Sequence, residues 1–159
     1  DPITVIRAFI DSKAAENSIL LMIGDGPLME ECEKISEGSK ENIMFLGNQP
    51  STINFLKASD FYISSAYSEG LPTSVMEAMG CGLPVILSNI KPHEELVSNI
   101  ENFKYLFPIN KDEILSEKID EIMKDDYNSL SQSCRDVIFN DINSNIMSSN
   151  YQLLYETKK

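Results

Sequence analysis

What this chain has little of narrows its chemistry before any motif is read. Positive charge is scarce: 13 Lys and Arg stand against 25 Asp and Glu, for a formal charge of −12. Surfaces for nucleic acid or anionic membrane need clustered Lys and Arg, so this balance argues against both as partners. The terminal pair Lys158-Lys159 is too small to serve as an anchor. No apolar run approaches the ~20 residues of a membrane span, and no signal-peptide pattern is visible. Cys32, Cys81 and Cys134 are scattered, odd in number and without metal-ligand spacing. They read as reduced thiols in a cytoplasmic protein. No Asp-x-Asp pattern falls near a strand end, and Asp125-Asp126, in a late polar stretch, reads as solvated surface. The chain opens on Asp1-Pro2 rather than Met, as expected of a fragment or an excised domain.

What is present suits a single domain: 159 residues, 42% of them hydrophobic, are enough for a real core. Ile3 to Ala14 puts Val5, Ile6, Phe9 and Ile10 on one helical face, with Pro2 suited to the first turn. Ser18 to Ile23 is a short apolar run that predicts a buried parallel strand, then a tight Gly24-Asp25-Gly26-Pro27 turn and a helix from Leu28 to about Ser36. Asn42 to Leu46 predicts a second strand closed by Gly47, and Ser51 an N-cap for a short helix to Ala58. Strands follow at Phe61 to Ser64, Pro84 to Leu87 and Tyr105 to Phe107, with a helix near His93 to Val97. Three helices are expected after that, at Asp112 to Met123, Asn128 to Phe139 and Ile142 to Tyr155. The alternation predicts a Rossmann-like α/β fold: a parallel sheet with helices on both faces and a helical C-terminus. Ligands of such sheets bind beyond the carboxyl ends of the strands.

Glu69-Gly70-Leu71-Pro72-Thr73-Ser74-Val75-Met76-Glu77 lies at such an end, between the predicted strand at Phe61 and a helix that runs to Gly80. Gly70 lets backbone approach a ligand with no side chain between them. Pro72 is pre-set for a first helical turn, and the amides from Thr73 onward are expected to point outward, a ready anion site matched to a diphosphate. Thr73 and Ser74 add hydroxyls. A carboxylate beside a diphosphate is repelled unless it accepts hydrogen bonds, and vicinal sugar hydroxyls are bidentate donors for it. Glu77, one turn past the loop, is placed to hold a ribose, and Glu69 faces the far side, where a donor sugar sits. Two carboxylates bracketing an anion pocket point to a sugar nucleotide.

This segment, running on through Ala78-Met79-Gly80-Cys81-Gly82-Leu83-Pro84-Val85-Ile86, resembles the donor-sugar motif of the retaining family 4 glycosyltransferases, and the likeness covers nearly the whole chain. The resemblance implies the C-terminal half of a GT-B fold. It gives Glu69 to the donor sugar, where it stabilises positive character at the anomeric carbon, and Glu77 to the ribose. Gly70, Leu71 and Pro72 match the loop whose amides hold the diphosphate, although Pro72 gives up one amide. Gly24, in the Gly-Asp-Gly-Pro turn, is similar to a turn bordering the nucleotide pocket. Phe45-Leu46-Gly47 resembles the strand end whose backbone, at Leu46, meets the base. The resemblance also implies transfer with retention and no metal or other cofactor, the nucleotide-diphosphate sugar being a substrate.

Two parts that the resemblance implies are missing here. The basic clamp on the diphosphate and the N-terminal, acceptor-binding domain both precede a segment like Asp1 to Phe9. Arg7 sits on the predicted first helix and does not replace the clamp. Any membrane contact would come through that absent domain, at the inner face of the membrane. The chain alone is expected to bind nucleotide weakly and not to transfer sugar. Of the other residues, His93 is placed near the pocket rim, Lys91 is a remote candidate for the diphosphate, and Met76 and Met79 are core. Tyr151, Leu154 and Tyr155 are assigned to a surface that docks on the missing domain. The reading is a donor-binding domain in surface polysaccharide or glycolipid synthesis. A non-catalytic nucleotide or phosphosugar binding module is the rival, and the two part at Glu69.

Overall fold

A computed structural model describes residues 1–39, 41–142, 148 and 152. Helix α1 (Pro2–Asp11) starts where Asp1 accepts hydrogen bonds from the Thr4 amide and hydroxyl. It buries Val5, Ile6, Ala8 and Phe9, the apolar face set by the spacing, and a 3₁₀ turn at Lys13–Glu16 replaces its expected last turn. Strand β1 (Leu20–Ile23), α2 (Met29–Ile35), β2 (Ile43–Gly47) and α3 (Ile53–Ala58) follow. Next come β3 (Tyr62–Ser64), α4 (Thr73–Gly80), β4 (Val85–Ser88), α5 (Lys91–Val97) and β5 (Leu106–Phe107). Helices α6 (Asp112–Ile122) and α7 (Tyr127–Asp136) close the order, with a π turn over Val137–Asp141.

All the strand pairs are parallel, as the βαβ spacing predicts. They form two sheets, β1-β2 and β3-β4-β5, because among the described residues no strand bridges β1 and β3. Strand β4 shows how both faces are covered. Its side chains alternate: Ile86 joins Val5, Ala8, Phe107, Leu115 and Ile119 under α1 and α6. Val85 and Leu87 join Val75, Met79, Leu96 and Cys134 under α4, α5 and α7. Being buried on both faces, β4 is apolar throughout until Ser88.

Several local expectations change. Thr52 rather than Ser51 occupies the N-cap of α3, with no side-chain cap bond, and α5 begins two residues early at Lys91, with Pro92 in its first turn. Asp125-Asp126 is not simply solvated. Asp126 caps α7 by accepting from the Asn128 amide, and Asp125 accepts from the Tyr105 hydroxyl and pairs with Lys104 at 2.8 Å. The helix predicted at Ile142 to Tyr155, and the docking surface on it, lie outside the described residues except at single positions. Among the described residues no helix is long and apolar enough to cross a membrane.

Candidate functional site

The carboxyl ends of β1, β2 and β3 bring the candidate residues to one side of the molecule. At the ends of β1 and β2 the register shifts, and the Gly24 amide donates to the Gly47 carbonyl at 2.8 Å. Gly24 makes that turn at φ 129°, a conformation that side chains disfavour. Gly24 and Leu46 therefore lie near each other at the ends of neighbouring strands. The Leu46 carbonyl accepts from the Gln49 side chain at 2.6 Å.

Beyond β3 the chain runs through exposed Glu69, Gly70 and Leu71 into α4. Pro72 is buried and stands at the N-cap rather than in the first turn, since its ψ of 66° is not helical. The Thr73 amide is not free either, because it donates to the Leu71 carbonyl at 2.8 Å. The open donors of this terminus are thus the next two amides, at Ser74 and Val75, and no side chain among the described residues caps them. Glu77, exposed on α4, lines a cavity of about 380 Å³ with Gln49, Pro50, Ser51, Thr52 and Ile53.

Tyr62 links the two glutamates. It projects from β3, and burial first, then the charges of Glu69 and Glu77, push its phenol above the ordinary range, against a hydrogen bond with Ser74. Both carboxylates thus act on one point beneath the α4 N-terminus. Neither forms an ion pair among the described residues. Glu121 and Asp125 behave differently: Lys104 reaches them at 2.9 and 2.8 Å, and hydrogen bonds from it hold both carboxyls below the usual range. Glu121 and Asp125 thus share a lysine, whereas Glu69 and Glu77 have no cation beside them among the described residues.

Other candidates move. His93 is not at a rim: it is 0% exposed, and burial lowers its pKa. Lys91 lies along its own helix, 3.8 Å from Glu95, and Arg7 is exposed on α1. Met79 is core and Met76 packs against it, as expected. The sequence reading missed Gln49 and the 49–53 wall, which carry no motif, and Tyr62, whose only signal was an aromatic inside a strand next to the glutamate loop. Among the described residues no group of three or more His, Cys, Asp or Glu is arranged to hold a metal.

The family described as Glycosyl transferases group 1 matches residues 1–138. An Escherichia coli UDP-Gal:α-D-GlcNAc-diphosphoundecaprenol α-1,3-galactosyltransferase is 30% identical over 141 residues, 86% of this chain and 36% of its own length. A Campylobacter jejuni N,N′-diacetylbacillosaminyl-diphospho-undecaprenol α-1,3-N-acetylgalactosaminyltransferase is 27% identical over 95% of this chain and 41% of its own. The chain thus spans well under half of the relatives it matches. Among solved structures, a pneumococcal O-GlcNAc transferase in complex with UDP and GlcNAc superposes with TM-score 0.77 at 17% identity, over 96% of this chain and 31% of that one. WaaG, a glycosyltransferase involved in lipopolysaccharide biosynthesis, gives 0.77 at 18% identity, over 92% and 41%. At those identities the likeness establishes the fold, that of the GT-B glycosyltransferases.

Proposed function

This chain belongs to the group 1 glycosyltransferases, and we propose that it is the donor-binding domain of a retaining enzyme that takes its sugar from a nucleotide diphosphate. The observation that carries this reading is the pair of unpaired carboxylates flanking an uncapped helix terminus, both acting on Tyr62. The diphosphate binds the free amides of Ser74 and Val75, with the Gly70-Leu71-Pro72-Thr73 loop shaping the approach. Glu77 accepts the ribose hydroxyls, and the cavity beside it takes the base next to Leu46 and Gly24. Glu69 stands on the sugar side and stabilises the oxocarbenium-like centre as the bond from the anomeric carbon to the diphosphate oxygen breaks. The new bond forms to an acceptor hydroxyl on the same face, and its proton leaves with the diphosphate.

In this reading amides and basic side chains meet the diphosphate charge without a metal. The basic clamp and the acceptor site belong to parts of the enzyme outside these residues, so the chain alone does not turn over. The acceptor is a glycolipid or growing surface polysaccharide, handled on the cytoplasmic side. Support comes from the diphospho-undecaprenol in the names of the two relatives. The test is ligand-observed NMR with UDP, GDP and ADP at millimolar concentration. Saturable binding of one nucleotide, lost in Glu77→Gln, is the expected result. Binding that is indifferent to that substitution, or none to any of the three, contradicts the reading.

A further inference from the structure

His93 is a buried titratable group that the donor-site reading leaves unused. It lies in the first turn of α5 and Ser88 closes β4, and both are 0% exposed. Ser88 Oγ donates to the Ala66 carbonyl at 2.6 Å, so toward the imidazole this oxygen can only accept. The Ser88 carbonyl, 2.9 Å from Nδ1, also only accepts, and Oγ lies 3.2 Å from the same nitrogen. Nδ1 therefore carries the hydrogen, and Nε2 of the neutral ring is a bare acceptor. That Nε2 is buried without a hydrogen-bond partner among the described residues. An apolar side chain of the same shape would avoid the penalty of an unpaired acceptor. What the ring contributes is thus the bond from Nδ1.

That bond leads toward the site. It meets Ser88, which strand pairing with Phe107 also holds, the Ser88 hydroxyl donates to the Ala66 carbonyl, and Ala66 stands three residues before Glu69. The same segment has a second mooring at Tyr67, whose hydroxyl donates to Asn110 at 2.7 Å. Burial lowers the imidazole pKa, while the bond to the Ser88 carbonyl and then the charge of Glu69 act to raise it.

We propose that His93 is a positioning residue for Glu69, acting through Ser88 as the neutral Nδ1–H tautomer to hold the Ala66–Glu69 segment where a donor sugar meets it. The proposal rests on the donor-domain reading above. The imidazole itself touches no ligand.

His93 is the only histidine of the chain, so ¹⁵N-histidine labelling gives one imidazole to follow. Without ligand, the expected result is hydrogen on Nδ1, an unprotonated Nε2, and a titration that moves to lower pH in Glu69→Gln. Hydrogen on Nε2 instead, or a titration that Glu69→Gln leaves in place, overturns the proposal. The second arm compares His93→Leu, which keeps the bulk, with His93→Asn, which keeps a donor at the Nδ1 position. Each is titrated with UDP, GDP and ADP and with UDP-galactose, GDP-mannose and ADP-glucose. His93→Leu is expected to weaken the sugar conjugate of the nucleotide that binds by about tenfold, the scale of one hydrogen bond. The bare nucleotide should stay within about twofold, as for a change away from its contacts, and His93→Asn should restore the conjugate. Equal losses for both ligands, no loss, or no rescue by His93→Asn mean a merely structural histidine and overturn the proposal. If wild-type protein binds none of the nucleotides, the donor-domain reading falls and takes this assignment with it, whatever the tautomer.

Discussion

The two ends of α4 are built to opposite specifications. At its C-terminus every device for closing a helix is in use. The Gly82 amide donates to the Met79 carbonyl and the Leu83 amide to the Ala78 carbonyl, at 2.9 and 3.0 Å, the paired bonds of a Schellman motif. Gly82 supplies the left-handed residue at φ 85°, and the Arg135 guanidinium on α7 donates to the Cys81 carbonyl at 3.2 Å. A cation there also suits the negative end of the helix dipole. At the N-terminus no side chain among the described residues caps the helix: Pro72 offers none, and the Ser74 and Val75 amides are left over. Helices α2, α3, α5 and α6 also start without a side-chain cap, so what sets α4 apart is the contrast between its two ends, and the donor-domain reading gives its open end to an anion.

The contrast breaks most visibly at its glycines. A Cβ on Gly82 would sit 2.2 Å from Arg135 Nε, on a backbone that side chains disfavour. Gly82→Ala is expected to cost about 1–3 kcal/mol in strain, which lowers Tm by roughly 2–4 °C per kcal/mol in thermal melts. Gly70 has open space where a Cβ would go. Gly70→Ala should therefore leave Tm in place and weaken only nucleotide binding. Next in size is Glu77→Gln, expected to weaken nucleotide by at least about tenfold, the scale of a charged hydrogen bond, without a change in Tm. Glu121→Gln, on an acid already paired with lysines, should leave the same titration unmoved. Arg135→Met, at the closed end, should lower stability by about 1 kcal/mol in urea melts.

The smallest effect is the pH dependence from His93. Burial holds its folded pKa below the ordinary 6.5. The unfolded chain therefore takes up a proton near that value which the folded ring still refuses, so folding stability is full above it and falls as pH drops below it. Thermal melts between pH 7.5 and 5.5 should show the decline, and His93→Asn should flatten it.

The same contrast shows what the sequence made legible. Gly24, Gly70 and the two glutamates could be singled out because their chemistry is local: a turn conformation, a missing side chain, a charge at a helix start. The alternating strands and helices were equally visible, since apolar period follows secondary structure. What could not be read was tertiary. Whether Thr73 keeps its amide depends on where the Leu71 carbonyl points, and Pro72, expected in the first turn, stands at the N-cap instead. His93, between two acids and a proline, looks like surface, and only the packing of α5 against β4 buries it. Asp125 finds Lys104 and Tyr105 from across the chain. The wall at Gln49 carries no motif because its contribution is a cavity shape.

The division of labour between the two glutamates is the central claim, and one titration series addresses it. Wild type, Glu69→Gln and Glu77→Gln would each be titrated with the nucleotide that binds and with its sugar conjugate. The expected result is that Glu77→Gln weakens both ligands, whereas Glu69→Gln weakens the sugar conjugate and leaves the bare nucleotide alone. If Glu69→Gln changes neither ligand, or both alike, Glu69 does not face the donor sugar and the assignment of this site is wrong.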